Sequence, residues 1–131
     1  MAEDNKARNI GYWILTIFIA LGFAFAGVID LIAGDEIVGQ FTALGYPAYL
    51  PRFLGVCKLL GAVAIVAPKF PRLKEWAYAG LFFDLAGATY SHIANGDGAD
   101  KFIAPIVLLV IAMASYILRP ADRKLPDPTG V

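Results

Sequence analysis

The sequence predicts an all-α integral membrane protein, a four-helix bundle with both termini cytoplasmic, and three observations carry that prediction. Hydrophobic residues make up 59% of the 131 residues and charged residues 17%, against about 45–50% and about 25% in soluble domains. A soluble chain this small leaves a large share of its area exposed, too much to hide that many apolar side chains. Four apolar stretches of about 17–24 residues follow one another, each able at about 1.5 Å per residue to cross or nearly cross a hydrocarbon core of about 30 Å. Finally, Lys and Arg gather on alternate connections between those stretches.

The first span covers about residues 10–33, after a cytoplasmic tail over 1–9. It reads as a retained anchor, because it is long for the apolar part of a leader and no small-x-small pattern follows Asp30. The connection from Gly34 to Ala48 holds Asp35, Glu36, Gly39, Gly45 and Pro47, long enough for a short interfacial or re-entrant piece. The second span covers about 49–67 and is broken from the third by Pro68, Pro71 and Arg72. The third covers about 76–94 and stops at the turn cluster Asn95-Gly96-Asp97-Gly98. The fourth covers about 102–118, with Pro105 in its first turn, where a missing N–H costs little. Together they make one transmembrane domain, 10–118. The Pro-containing segment 119–131 reads as a disordered cytoplasmic tail.

Lys6, Arg8, Lys69, Arg72, Lys74, Arg119, Arg123 and Lys124 fall on one side of this arrangement, and only Arg52 and Lys101 on the other. The positive-inside rule then puts both termini in the cytoplasm. Tyr12, Trp13, Trp76, Tyr78 and Tyr116 lie near the cytoplasmic ends, as rings at a headgroup interface do.

Several function classes fall away. The apolar composition excludes disorder, and eleven basic against eleven acidic residues disfavours a nucleic-acid binder. With one Cys (Cys57) and one His (His92), the chain by itself makes no disulfide, no thiol pair, no structural zinc site and no bis-histidine haem. No metal site and no intrinsic cofactor are expected. Cys57 reads as an inert buried thiol.

Three ionisable residues stay inside the spans: Asp30, Lys58 and Asp84, with His92 near the end of the third and Ser91 beside it. A charge at the bilayer centre costs roughly 2.5–3.5 kcal/mol on insertion scales, so each should face the interior and find a partner. The expected pairing is Lys58 with Asp84, and Asp30 as second acceptor. Small residues mark the same faces: Gly22, Ala26, Asp30 and Gly34 in the first span, Gly55 and Gly61 around Lys58, and Gly80, Asp84, Gly87 and Ser91 in the third. Such a cluster is either a structural tie that sets helix register or a place where a proton, an ion or a polar ligand head binds. Phe18, Phe23 and Phe25 with Phe82 and Phe83 are candidates to line a pocket for a flat lipophile such as a quinone, against a plain core or lipid-facing role.

The stretch LGYPAYLPRFLGVCKLLGAVAIVAPKFPRLKEWAYAGLFFDLAGATYSHIANGD, Leu44 to Asp97, together with FAFAGVIDL, Phe23 to Leu31, resembles the DoxX-like family of small bacterial membrane proteins. The resemblance implies a multi-pass four-helix protein of the bacterial inner (plasma) membrane. It also implies kinship with a subunit of a thiosulfate to quinone oxidoreductase and with a membrane partner in a thiol and superoxide stress complex. The matching positions here are Lys58, Asp84, Ser91 and His92. A departure stands at Asp30, in AGVIDL, where the wider superfamily often has Lys in a pattern like SGxxKL.

Three functions fit these readings. The first is a small-molecule-binding or complex-assembly module built round Asp30, Lys58, Asp84, Ser91 and His92. The second is the membrane subunit of a quinone-linked oxidoreductase acting on thiosulfate or thiols, with the quinone as its cofactor and Asp84 or His92 moving protons. The third is proton-coupled transport. The partners implied are the lipid bilayer, further copies of the chain, or a membrane or periplasmic oxidoreductase.

Overall fold

The first proline in the chain is Pro47, and nothing before Ala33 interrupts a helix. The computed structural model, which describes residues 2–124, accordingly begins with one long helix, α1 (Ala2–Ile32), followed by α2 (Asp35–Ala43), α3 (Leu50–Val66), α4 (Pro71–Ala94) and α5 (Ala99–Ile117). A turn of 3₁₀ helix, Ala121–Arg123, follows, and no strand occurs among the described residues. The segment expected as an N-terminal tail over 1–9 is thus, from Ala2 on, the start of α1. Pro105 lies inside α5 and not in its first turn, because the helix already begins at Ala99 behind Gly98. A lost backbone bond there is tolerated where neighbouring helices and local adjustment satisfy the freed carbonyl.

Helix α1 packs on α3 and α5, α4 packs on α3 and α5, and α2 rests against α3. Ile19, Phe23, Ile65, Tyr78, Leu81, Leu85 and Ala112 form the buried core. The outward residues are also apolar. On α1 the exposed positions Ile14, Phe18, Leu21, Phe25, Val28 and Ile32 recur at three- and four-residue intervals, with Leu21 66% and Phe25 70% exposed. Phe53, Val56, Leu60 and Val63 do the same on α3. An apolar stripe that no other helix covers is what a lipid-facing surface requires. By length and composition two helices suffice to cross a membrane: Asn5–Ile32 of α1 and all of α5. Helix α3 has 17 residues, about 25 Å at 1.5 Å per residue, and α4 carries Asp84, Ser91 and His92 within its apolar run.

Close approach occurs at one pair of glycines. A Cβ on Gly55 of α3 would lie 2.6 Å from the Leu31 nitrogen and 2.7 Å from the Gly27 carbonyl oxygen of α1. The expected stripe Gly22, Ala26, Asp30, Gly34 is therefore corrected: Gly22 and Gly34 have nothing within 4 Å of a Cβ, and the contact runs through Gly27, one residue off that register.

The end of the helical assembly where α1 begins and α5 ends is a polar network. Orphan carbonyls at the end of α3 need donors, and cations from two other segments supply them. Arg123 Nη2 donates to the Ile65 oxygen (2.7 Å) and the Ala67 oxygen (3.1 Å), and its Nε to Tyr12 Oη (2.7 Å). Lys74 Nζ donates to the carbonyls of Ala67 and Lys69, across a connection in which Lys69 and Phe70 both take positive φ. Arg119 Nη1 donates to Glu75 Oε1 (2.6 Å), and Tyr116 Oη to Glu75 Oε2 (2.8 Å). Deeper in, Thr16, Ser115 and Tyr78 hydroxyls are joined at 2.6 and 2.7 Å, tying α1, α5 and α4.

Three expectations change here. Residues 119–124 are held against the helices and are not a disordered tail; the rest of that tail, 125–131, lies outside the described residues. Lys74, Arg119 and Arg123 are buried, so hydrogen-bond duty accounts for three of the eight one-sided charges. Tyr12 and Tyr78 are buried with bonded hydroxyls, whereas Trp13 and Trp76 are exposed as interfacial rings should be. Arg123→Ala leaves the Ile65 carbonyl and the Tyr12 hydroxyl without this donor, while the Ala67 carbonyl keeps Lys74. The expected loss, read by thermal unfolding in mild detergent, is about 2–3 kcal/mol, the scale for hydrogen bonds from a charged group.

Candidate functional site

At the end opposite the termini, a cleft of about 610 Å³ opens between α4, α3 and the α2 segment. Lys58, Asp84, Ser91 and His92 line it, with Tyr46, Asp97 and Lys101 at its mouth. Four of the five sequence-derived residues therefore share one cavity. Asp30, the fifth, stands behind it: Lys58 Nζ donates to Asp30 Oδ2 at 2.6 Å, with both side chains largely buried.

That pairing corrects the expected one. Lys58 is tied to Asp30, on the helix that the Gly27–Gly55 contact brings nearest to α3. Asp84 makes no hydrogen bond or ion pair among the described residues, and its partly buried carboxyl group lines the cleft. The small residues of α4 also differ from expectation. Gly80 and Gly87 have nothing within 4 Å of a Cβ, so they do not seat another helix; they keep space open.

Two helix ends build the mouth of the cleft, and both do so through a glycine. Helix α4 ends with Gly96 at φ +79, the Gly96 N–H bonded to the Ile93 oxygen (3.0 Å) and the Asp97 N–H to the His92 oxygen (2.9 Å). This is the Schellman arrangement, which needs a left-handed residue. It turns Asp97 back so that Oδ2 lies 2.7 Å from His92 Nδ1. Helix α2 ends the same way: Gly45 at φ +90, with N–H bonds from Gly45 to Thr42 (3.0 Å) and from Tyr46 to Phe41 (3.0 Å). The Tyr46 ring then packs near Phe41, and its hydroxyl meets Ser91 Oγ at 2.5 Å. Reading the sequence missed Tyr46 and Asp97 because both sit in connections. The signal was available: each is the residue after a helix-ending glycine, in Leu-Gly-Tyr and Asn-Gly-Asp.

The His92 hydrogen bond, then Asn95 and the charge of nearby Lys101, hold the Asp97 carboxyl below its ordinary value against a smaller opposing effect of desolvation. A depressed carboxylate pKa stabilises the fold above the unfolded value of about 3.9, and that contribution is lost as pH falls through the lower folded value. Asp97→Asn is therefore expected to lower thermal stability at neutral pH and to flatten its fall below about pH 4, the variant and the wild type converging at low pH.

Behind the cleft, a second space of about 730 Å³ runs between α3 and α4. Its walls are apolar, among them Phe23, Leu60, Trp76 and Gly80, and Leu54, Lys58, Phe83 and Asp84 line both spaces. Cys57 lines this groove and is exposed, where a buried thiol was expected. Of the five phenylalanines considered for a pocket, Phe23 and Phe83 reach it, while Phe18 and Phe25 face outward on α1. Tyr90, beside Ser91, is 73% exposed and points away from the site. Among the described residues no three His, Cys, Asp or Glu side chains gather as a metal set.

No curated protein and no solved structure matches the chain. The family model described as the DoxX-like family matches residues 14–115, a stretch that contains all five candidate residues and both spaces they border. The chain belongs to the DoxX-like family and is a DoxX-type membrane protein.

Proposed function

We propose that this protein is a four-helix transmembrane binding module in which α1, α3, α4 and α5 cross the bacterial inner membrane with both termini cytoplasmic. In this reading it holds one amphipathic small molecule, the polar head in the cleft and the apolar body in the groove between α3 and α4. The observation that carries the reading is the shared wall: Lys58 and Asp84 border the polar and the apolar space at once. A site of this kind, mostly apolar with a few convergent polar groups, is the usual form of a small-molecule pocket. The uncovered apolar stripes of α1 and α3 support the membrane placement. Exposed Lys6, Arg8, Lys69 and Arg72 at the terminal end support its orientation.

The glycines that keep the two spaces open provide the test. Gly87→Leu fills the cleft and Gly80→Leu the groove, and because neither Cβ meets an atom within 4 Å, the fold should stand. Exchanging Gly for a good helix former contributes up to about 0.8 kcal/mol of helix propensity. Native mass spectrometry of detergent-purified protein, followed by extraction, should find one amphipath per chain in the wild type and none in either variant. Retention in both variants would overturn the site, and loss in only one would overturn a single molecule spanning both spaces. A quinone recovered at stoichiometric level would turn the reading to the alternative, a membrane subunit of a quinone-linked oxidoreductase.

A further inference from the structure

Two groupings hold most of the charge at the cleft. Lys58 is neutralised by Asp30 at 2.6 Å. His92 faces Asp97 at 2.7 Å, and Lys101 lies close enough to Asp97 to help hold its carboxyl low. Asp84 is the acid with no hydrogen bond or ion pair among the described residues, since the lysine it was expected to share is bonded to Asp30. Formally, Asp30, Lys58 and Asp84 sum to one negative charge when all are ionised. The deficit sits where the polar cleft meets the apolar groove, beside the Phe83 ring, which is 71% exposed and lines both spaces.

A carboxylate with no bonded partner among the described residues, in a largely apolar setting that holds an aromatic ring, is complementary to one ligand class. An organic cation supplies the missing charge to the carboxylate, and its apolar substituents fit the groove. Aromatic faces attract cations through the ring quadrupole, most strongly where the cation is desolvated. An anionic head would meet the Asp84 carboxylate instead, with Lys58 already bonded to Asp30. We propose that the head group held at this site is a lipophilic organic cation, an ammonium or phosphonium type, with Asp84 as its counter-ion and Phe83 as its aromatic wall. The proposal rests on the reading of cleft and groove as one ligand site.

Two probes of the same shape and opposite charge test it: tetraphenylphosphonium and tetraphenylborate, titrated by calorimetry into the full chain in mild detergent, with decylubiquinone as an uncharged amphipath. Saturable binding of the phosphonium, about tenfold or more tighter than the borate, is the expected result. Asp84→Asn should weaken the phosphonium by about tenfold or more, whereas Asp35→Asn, in exposed α2, should leave it within about twofold. Phe83→Ala should weaken the phosphonium more than the uncharged probe. Equal binding of the two ions, preference for the borate, or indifference of phosphonium binding to Asp84→Asn would overturn the charge assignment while leaving the ligand site in place. Failure of all three probes to bind would overturn the site reading and this inference together.

Discussion

Gly55→Ala is expected to destabilise the protein more than any other addition of a single methyl group at a helical glycine. A Cβ at this position would come within 2.7 Å of two backbone atoms of α1, the Leu31 nitrogen and the Gly27 oxygen, and within 3.0 Å of the Leu31 Cα. Flexible side chains give way to such a contact, but two helix backbones do not. Relief requires α1 and α3 to separate along their most extensive interface. Overpacking of this kind costs about 1–3 kcal/mol and occasionally more, and a backbone clash belongs at the top of that range, about 3 kcal/mol. Thermal unfolding in mild detergent should show it as a large drop in Tm. Gly22→Ala, on an exposed face of the same α1 helix with nothing within 4 Å, should instead raise stability by up to about 1 kcal/mol through helix propensity. A Gly55→Ala variant that unfolds with the wild-type Tm would show that the two helices do not meet at this point.

The second large effect belongs to Lys58→Met. Removing the ammonium strands Asp30, whose side chain is 9% exposed, as a buried charge without a partner. Breaking a buried pair from one side costs about 3–5 kcal/mol, whereas replacing both partners by neutral groups is often close to neutral. The double variant Lys58→Met/Asp30→Asn should therefore recover most of the loss, and Lys58→Met/Asp84→Asn should recover little. The reverse order of rescue would identify Asp84 as the true partner and undo the charge accounting behind the proposed cation site. Close residues are not additive in such a comparison, and the coupling itself is the measured quantity.

These two results bear on different layers of the molecule. The Gly55 contact sets the distance between α1 and α3, and that distance brings Asp30 to Lys58. With Lys58 drawn to α1, Asp84 on α4 is left facing the cleft and the groove. A methyl group at Gly55 would thus disturb the site indirectly, by moving the helix that supplies its counter-charge. Gly80 and Gly87, by contrast, touch nothing and can be filled without moving a helix.

Much of the site was legible as residue types. Asp30, Lys58, Asp84, Ser91 and His92 stood out because a polar group within an apolar run is costly unless it has a use, and that cost is a local property of the sequence. Which acid pairs with Lys58 was not legible. Asp30 and Asp84 are both within reach of a lysine in a bundle, and the choice follows from an approach of backbones at Gly27 and Gly55 that residue spacing alone misplaced by one position. Gly22, Gly27, Gly80 and Gly87 look alike in sequence; one seats a neighbouring helix, two hold space open and one faces outward. Absence of a side chain permits close packing, an open cavity or nothing, and only the neighbouring element decides which.

Local chemistry by itself determined the helical class and the membership in the DoxX-like family. Hydrophobic runs, prolines and turn glycines act through nearest neighbours along the chain, so one-dimensional reading captures them. The tertiary structure alone decided the burial of Arg119 and Arg123, the Lys58–Asp30 pair, the place of the Asp84 carboxyl group on the wall of both spaces and the joining of a polar cleft to an apolar groove. Each of these depends on groups distant in sequence, such as Tyr12 and Arg123 or Asp30 and Lys58, whose separation is set by how helix faces pack and not by any pattern within one helix.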